Sequence, residues 1–312
     1  MAYTQASSVS SDTAAFEQLA YFALRSQPMF EMVADVKSTN QSHPGASVQF
    51  NIYNDLAQAT SALTETSDVT AVALSDSTVT VTLAEHGNAV ITTAKLRGTS
   101  FLNVDADAAN IIGYNMGNSI DKLVQDVLVG GDNVRYGGDA TATDELAAGD
   151  TITASLIRQA VADLRSASAP TMGAGYVAFI HPDVSYDLRE DTAVTDIIQY
   201  QIRQDGDGVR MGSIGMFGGA DFIETPRLDF TADGGATTVD AYNTVICGKQ
   251  ALAKAHSRGA GFGENPAVVF GPVTDTLRRF QPVGWYHLVG YNRFREASLQ
   301  RIETSSSIGA NA

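Results

Sequence analysis

The sequence has little of what disulfide frameworks, metal centres and membrane anchors require. Its 312 residues include one cysteine, Cys247, which excludes an intrachain disulfide framework and any multi-cysteine metal site. The longest apolar run is far shorter than the roughly 18 residues that suggest a membrane span. The first thirty residues lack a basic start followed by an apolar block, so no secretory signal is visible. We therefore expect synthesis in a reducing cytosol.

Positive charge is also scarce. The chain has 20 Lys and Arg against 35 Asp and Glu, a net charge of -15, and its pI is near 4.6. This balance argues against a protein whose main task is to grip nucleic-acid phosphates, although it permits one that lies beside nucleic acid without adhering to it. The hydrophobic content of 44% is typical of a soluble globular protein. The lysines are Lys37, Lys95, Lys122, Lys249 and Lys254.

The N-terminal region predicts a mobile arm over residues 1–11 and then a helix. Asp12 or Thr13 is suited to cap that helix, and Pro28 ends it. Its apolar residues follow three- and four-residue spacing: Phe16, Leu19, Ala20 and Ala23. Such a helix either belongs to the core or docks on a neighbouring subunit, and both interpretations stay open.

Two-residue periodicity from Val48 onward predicts β-strands. The first strand is "SVQFNIY", and a second contains Val79, Val81 and Leu83. A turn is predicted at residues 85–88, "EHGN", before a further strand with Val90 and Ile91. Between the first two strands, residues 54–77 contain neither Gly nor Pro and few large apolar groups. This segment buries little by itself, so we expect it to lie along another copy of the chain.

The strongest helix signal covers residues 105–129, with Asp105 or Asp107 as the cap and Gly130-Gly131 as the stop. Its predicted apolar stripe consists of Ile112, Met116, Ile120, Leu123 and Val127, widened by Ile111, Val124 and Leu128. A second helix starts at a Thr151 or Thr153 cap and ends before Pro170. Its stripe is Leu156, Ile157, Ala160, Val161 and Leu164.

The remaining sequence predicts strands with few helices. "GYVAFIHPD" indicates a buried strand that runs into a helix start at His181-Pro182-Asp183. Residues 205–224 look like a glycine-rich loop, "TTVDAYNTVICG" contains a strand, and the last third is dominated by strands. One long helix among scattered strands predicts an α+β fold in which distant segments share one sheet.

Motifs that carry chemistry are missing, so we predict no catalytic, cofactor-binding or metal-binding residues. No Gly-x-Ser-x-Gly occurs, and Gly248-Lys249 is followed by Gln250 and not by the Ser or Thr of a phosphate loop. "GAGYVA" precedes a strand, whereas a dinucleotide turn follows one. "DGDG" at 205–208 lacks calcium-ligand spacing. The five histidines are scattered, and His287 is expected to be packed and hydrogen-bonded.

Near the end of the chain, "VGWYHLVGYNRFREASLQRIETSS" combines a strand apolar on both faces with arginines. Trp285, His287, Val289 and Tyr291 share one face of that strand, and Tyr286 and Leu288 share the other. Pairing with an acidic surface on another subunit is the preferred interpretation of the nearby arginines, and ordinary solvation is the alternative. These are Arg278, Arg279, Arg293, Arg295 and Arg301.

The order of these parts resembles the major capsid protein of tailed bacteriophages, with the Hong Kong 97-like fold. The likeness covers most of the chain and is closest in the Val-Gly-Trp start and Arg-Ile-Glu ending of the segment just quoted. It implies an N-terminal arm (1–36), an extended loop over a neighbouring subunit (37–104) and a peripheral domain with its spine helix (105–171). An axial domain (172–246) and returning strands (247–312) complete the implied division. One face of the Trp285 strand would then cover the spine helix, and the other would meet a loop or a neighbouring subunit.

The resemblance implies a shell protein and not an enzyme. It implies self-assembly into hexamers and pentamers around double-stranded DNA that is enclosed without specific binding, with assembly in the host cytoplasm and no membrane. Some relatives link subunits by an isopeptide bond from a lysine on the extended loop, but no lysine lies between Ser38 and Ala94. We therefore expect a shell held by non-covalent contacts. The short arm favours a separate scaffolding protein, and portal and cement proteins are further expected partners.

Two alternatives stay open at the level of sequence. An encapsulin-like cage shares the fold but encloses protein cargo. An acidic hydrolase with an unrecognised carboxylate pair is the alternative from a different functional class.

Overall fold

A computed structural model describes residues 26–36, 46–63, 65–66, 68–100, 103–191, 213–257, 265–273 and 275–308. The predicted helix after Asp12 and the "DGDG" segment lie outside the described residues. Four α-helices occur at these positions: α1 Ala94–Thr99, α2 Val104–Val129, α3 Ala154–Ser166 and α4 Pro182–Glu190. The strands of the first half of the chain are β1 Ala34–Val36, β2 Ser47–Tyr53, β3 Asp76–Thr82, β4 Ala84–Thr93, β5 Val134–Tyr136 and β6 Tyr176–Ile180. Those of the second half are β7 Ser213–Phe217, β8 Ala220–Glu224, β9 Phe230–Thr231, β10 Ala241–Cys247, β11 Leu252–His256, β12 Ala267–Phe270, β13 Phe280–Arg293 and β14 Leu299–Thr304.

The described residues fall into two compact units. The small unit comprises residues 87–116 and 267–286, and the large unit comprises residues 26–86, 117–266 and 287–308. The chain therefore crosses from one unit to the other within β4, within α2 and within β13. The α+β prediction is confirmed.

The core of the large unit is a sheet with strand order β5-β14-β10-β6-β8-β7, to which β9 adds on β10. Strands β14 and β5, and strands β6 and β8, run parallel, whereas the other pairs are antiparallel. Every residue of β6 and β10 is buried. This explains why these strands appear in the sequence as continuous apolar runs and not as alternating ones.

Both faces of this sheet are packed. On one face Ile157 and Leu164 of α3 join Tyr176 and Ile246 in a buried cluster. On the other, Val124 and Leu128 from the second half of α2 pack with Phe179 and Val245, and Phe30 meets Phe179 edge-on, with ring centroids 4.9 Å apart. The sheet is thus the middle layer of a helix–sheet–helix arrangement.

Helix α2 confirms the strongest prediction. At 1.5 Å per residue its 26 residues span about 39 Å. The predicted caps are wrong, because the helix begins at Val104 and the side chain of Asn103 accepts a hydrogen bond from the Ala106 N–H at 3.4 Å. The predicted stripe is only partly buried, since Ile111 is exposed.

Helices α3 and α4 begin at residues that the sequence had identified. Thr153 caps α3 by accepting from the Leu156 N–H at 3.3 Å. His181 caps α4, and its Nδ1 accepts from the Asp183 N–H at 3.2 Å.

Two turn predictions are wrong. Residues 85–88 do not form a turn but belong to β4, which pairs with β13 and not with β3. Gly87 is required there because a Cβ would approach the Trp285 carbonyl oxygen to 2.6 Å. The second error is the glycine-rich stretch, whose residues 213–224 form the β7–β8 hairpin. In β4 a glycine permits close backbone approach, and in the β7–β8 hairpin glycines permit a tight turn. Neither role requires a loop, because both occur within sheets.

Candidate functional site: surfaces for subunit contact

The described residues contain no group of three or more His, Cys, Asp or Glu side chains that would hold a metal ion. Three of the described histidines serve the fold: His181 caps a helix, and His256 and His287 are buried on neighbouring strands. No described helix is long and apolar enough to cross a membrane. Whether the chain lacks catalytic activity stays a prediction, as does its lack of a cofactor.

His287 is buried beside cationic neighbours. Burial, together with the positive charges of Lys254 and His256, lowers its pKa to about 4. Its packing was predicted correctly, but Nε2 has no hydrogen-bond partner among the described residues. The imidazole is therefore neutral in the folded chain at ordinary pH.

The strand around the only tryptophan has two different faces, as predicted. In the small unit, Trp285 is buried and its Nε1 donates to Asn115 Oδ1 of α2 at 3.0 Å. In the large unit, Leu288 on the opposite face packs with the cluster formed by the base of the β2–β3 hairpin. One face therefore meets the long helix, and the other meets the hairpin.

A buried ion pair in the large unit was missed at the level of sequence. Asp121 of α2 accepts from the backbone N–H groups of Met29 and Phe30 at 2.8 and 2.7 Å, and Arg227 Nε donates to its other oxygen at 2.7 Å. These three donors on one carboxylate hold the segment around residues 28–30 against α2. The available signal was a carboxylate next to Ile120, within an apolar helix stripe.

Three of the five arginines have a carboxylate partner within the chain: Arg279 lies 4.0 Å from Asp275, and Arg293 and Arg301 lie at the end of α2. Arg301 Nη1 donates to the Val129 carbonyl at 2.7 Å, and Arg293 donates to the Gly130 carbonyl. Arg293 also pairs with Glu296 at 2.8 Å, and Arg301 pairs with Glu303 at 3.1 Å. Both arginines thus place positive charge at the C-terminus of α2, where the helix dipole is negative. The inter-subunit interpretation is therefore wrong for Arg293 and Arg301, and it stays a prediction for the exposed Arg278, Arg279 and Arg295.

The β2–β3 hairpin has a firmly packed base. Val48, Val81 and Leu83 cluster with Ala253 and Ala255 of β11. Asn292 Nδ2 donates to the Thr80 carbonyl at 2.8 Å. Gly290 is required because the Thr82 carbonyl lies where a Cβ would be. The base of the hairpin is thus fixed to the sheet.

Beyond this base, residues 54–75 form what we call the arm. Its described residues include no helix or strand, and a hydrogen bond from the Asn54 N–H to the Ser75 carbonyl at 3.0 Å joins its ends. Its large apolar side chains are open to solvent: Leu63, Leu74 and Val72 are 77%, 73% and 72% exposed. A segment of this length that covers none of its own apolar groups is typical of an interaction surface.

The small unit also exposes apolar side chains. Phe270 on β12 is 56% exposed and Leu277 in the following turn is 70% exposed. The others are Val90, Ile91, Leu96, Ile111, Val269, Phe280 and Tyr286. These side chains make the small unit a second candidate surface for contact with other chains.

Comparison with known proteins agrees with this picture of contact surfaces. A family described as phage capsid protein matches residues 5–308. The chain belongs to the phage capsid protein family. Members of this family have a structural role, and the chain is accordingly a major capsid protein that assembles with its own copies into the shell of a virion.

Solved capsid structures have the same fold. A chain of the Ralstonia phage GP4 capsid superposes with a TM-score of 0.77 at 17% identity, covering 98% of both chains. A chain of the cyanophage Pam1 capsid gives a TM-score of 0.78 at 15% identity, covering 96% of this capsid protein and 98% of the other. The head of Helicobacter pylori bacteriophage KHP40 gives 0.72 at 11% identity, with 98% of both chains covered. No curated protein sequence matches the capsid protein.

These matches confirm the Hong Kong 97-like fold that the order of sequence elements predicted. They do not favour the encapsulin-like cage or the acidic hydrolase.

Proposed function

We propose that this capsid protein closes both six-fold and five-fold rings of an icosahedral shell around the double-stranded DNA of a tailed phage, without covalent links between subunits. The observation that carries the proposal is the exposed arm. The base of the arm is fixed to the sheet, and the apolar side chains described beyond that base are exposed. Adaptable arms on a rigid core let one chain fit rings of two curvatures.

The arm supplies enough apolar area to hold subunits together. Fully burying a Leu or Val side chain contributes roughly 1.5–3 kcal/mol. Leu56, Leu63, Val69, Val72 and Leu74 are all more than half exposed in the single chain. Contacts of this kind repeat at every subunit, so modest individual interfaces add up to a durable shell.

The absence of lysine from the extended loop supports a non-covalent shell. An amine nucleophile is needed for an isopeptide bond, and residues 38–94 contain no lysine. Denaturing gel electrophoresis of assembled particles tests this: we expect a single band at the monomer mass of 32.9 kDa. A ladder of covalent multimers would show that subunits are linked through residues outside this loop, and it would overturn the non-covalent shell.

The remaining assignments follow the same proposal. Residues 1–36 form the N-terminal arm, 37–104 the extended loop, 105–171 the peripheral domain, 172–246 the axial domain and 247–312 the returning strands. Scaffolding, portal and cement proteins act as separate partners during assembly in the host cytoplasm. The net charge of -15 limits adhesion of the enclosed DNA if the carboxylates face the interior.

Replacing the arm tests its role directly. The Asn54 N–H···Ser75 carbonyl bond continues the β2–β3 ladder, so residues 55–74 can be replaced by Asn-Gly, a two-residue turn that suits a tight hairpin. We expect a folded subunit that forms no closed shells by electron microscopy. Closed shells of normal size from this variant would overturn the proposed role of the arm.

A matched control keeps the arm length and removes only its apolar groups. In this variant Leu63, Val72 and Leu74 are replaced by Ser. If neither variant forms shells, assembly depends on the apolar contacts of the arm. If only the deletion variant fails, assembly depends on the backbone and polar groups of the arm.

A further inference from the structure

A cluster of titratable side chains lies on one face of strands β11 and β13, within the large unit. Lys254 is directly opposite Tyr291 and His256 is directly opposite Val289. Residues paired in this way share a face, and His287 joins them two positions further along β13. Lys254, His256 and His287 are 3%, 3% and 1% exposed. Three groups that can carry positive charge are thus packed together away from water.

The carboxylate that faces this cluster is Glu31. Its Oε1 accepts from Lys254 Nζ at 2.5 Å and from the Tyr291 hydroxyl at 2.9 Å. Glu31 therefore balances the charge of the lysine, and its bonded oxygen is already shared between two donors. A proton added to a histidine of this cluster would bring a second positive charge to a place that holds one carboxylate charge from Glu31.

His287 is the group whose protonation the fold disfavours most clearly. Its Nε2 is buried without a hydrogen-bond partner among the described residues, so an added N–H would be left without an acceptor there. Burial, followed by the positive charges of Lys254 and His256, lowers the pKa of His287. The charge of Glu31 opposes this shift without reversing it.

Other charged groups nearby do not offset an added proton. Asp121 of α2 acts on Tyr291, but its oxygens already hold an ion pair and two backbone N–H groups. Asp35 is paired with Ala253, which packs towards the β2–β3 hairpin on the other face of β11. His86 of β4 also lowers the pKa of His287, so it adds to the repulsion.

The segment that carries Glu31 packs over the cluster. We call residues 28–36 the strap. Phe30 and Val33 of the strap are 0% and 1% exposed, and they share one apolar cluster with Leu252 and Tyr291. The strap ends in β1, a three-residue strand that pairs with β11 at the end of the order β1-β11-β13-β12. It is thus a short edge piece that covers buried titratable groups.

We propose that this cluster is an acid-sensitive latch, in which protonation of His287 releases the strap from β11 and β13 while the rest of the large unit stays folded. Two positive charges away from water are costly, and lifting the strap returns them to solvent. The strap yields first because short edge segments open more easily than strands buried on both faces, such as β10. The strap joins residues 1–27 to the large unit, so the latch makes this junction sensitive to acid.

Proton linkage sets the size of the effect. The pKa of His287 is about 4 with the strap in place, and its ordinary value is 6.5. Between these values the open form binds a proton that the closed form does not. Strap opening should therefore rise by up to about tenfold for each pH unit below 6.5. Above pH 6.5 it should not depend on this histidine.

Hydrogen exchange followed by mass spectrometry measures this opening in the unassembled full-length subunit. The reporters are a peptide that covers the strap and a peptide that covers β10, with rates corrected for the intrinsic effect of pH. Between pH 6.5 and 5 we expect protection of the strap to fall by about tenfold or more, while β10 stays protected. Equal loss of protection in both peptides would mean global unfolding and would overturn the latch, as would unchanged protection of the strap.

Two substitutions test the charges of the latch. His287→Gln removes the titrating group and should abolish most of the dependence of strap opening on pH. Lys254→Met removes the standing positive charge, so a protonated histidine can pair with Glu31, and the dependence on pH should be reduced. Because Lys254→Met also removes a bond to Glu31, the slope with pH is compared and not the absolute protection. A wild-type slope in His287→Gln overturns the latch, and a wild-type slope in Lys254→Met overturns the repulsion beside Lys254.

The matched control is a histidine elsewhere in the large unit. Burial also lowers the pKa of His181, and His181→Asn keeps a side chain suited to cap α4. We expect this variant to show the wild-type dependence of strap opening on pH, and loss of that dependence would overturn the assignment to His287. All of these measurements use the unassembled subunit, so their outcome is independent of whether replacement of the arm abolishes shells.

Discussion

The arm and the central sheet of the large unit are made from similar residues but use them in opposite ways. Strands β6 and β10 bury every side chain between two helical layers, and Phe179 is fully buried against Phe30. The arm contains Leu and Val as well, yet those side chains are more than half exposed. The sheet buries its apolar side chains within one chain, whereas the apolar side chains of the arm need a neighbouring copy to cover them.

This contrast explains how one chain meets two demands. A subunit must fold before it assembles, so its core has to be complete without partners. A shell must also hold together, so apolar area has to be left available on the outside. The predictions that follow compare these two regions by the free energy of unfolding of the unassembled subunit.

The largest effect is expected in the sheet. Phe179→Ala leaves a cavity between two helical layers and should lower the free energy of unfolding by about 3–5 kcal/mol in urea titrations. Phe270→Ala is the matched control, because that ring is already 56% exposed, and it should cost less than about 1 kcal/mol. Equal effects of the two changes would remove the distinction between core and contact surface.

A somewhat smaller effect is expected at the buried ion pair. Asp121→Ala leaves the Arg227 guanidinium buried without its partner, along with the N–H groups of Met29 and Phe30, and should cost about 3 kcal/mol. Asp126→Ala, which breaks an exposed pair with Lys122 on the same helix, should cost about 1 kcal/mol or less. A cost near zero for Asp121→Ala would mean that the segment at residue 28 is held by other contacts.

A pH-dependent effect is expected at His287. Its pKa in the folded chain is about 4, below the ordinary value of 6.5. Between these values the unfolded chain binds a proton that the folded chain does not, so stability present above pH 6.5 is lost as the pH falls towards 4. His287→Gln should therefore make unfolding less sensitive to pH in this window. The free energy of unfolding is measured by urea titration at several pH values. If it depends on pH equally in the wild type and in His287→Gln, the lowered pKa of His287 is contradicted.

The smallest effect on folding is expected in the arm. Leu74→Ser should change the free energy of unfolding by less than about 0.5 kcal/mol, since the side chain is 73% exposed. The same change should still weaken assembly, as seen by electron microscopy. A large loss of subunit stability would show that the arm packs against its own chain.

Local sequence signals located most of the regular elements. The Thr153 cap and the glycines after Val129 marked helix ends correctly, because capping depends on a few neighbouring residues. The same kind of reasoning failed at residues 85–88, where glycine serves a close approach to β13, some two hundred positions away in the chain. It also could not find the Asp121–Arg227 pair or the Trp285–Asn115 hydrogen bond, since partners distant in sequence leave no spacing to detect.

The sequence by itself determined the α+β class, the long helix, the exposed character of residues 54–77 and the absence of lysine from the extended loop. Periodicity, capping and composition are local properties, so they can be read along the chain. Only the tertiary structure decided which arginines serve the end of α2 and which stay exposed. That choice depends on which strands and helices pack together, because burial and pairing are set by neighbours in space and not by neighbours in sequence.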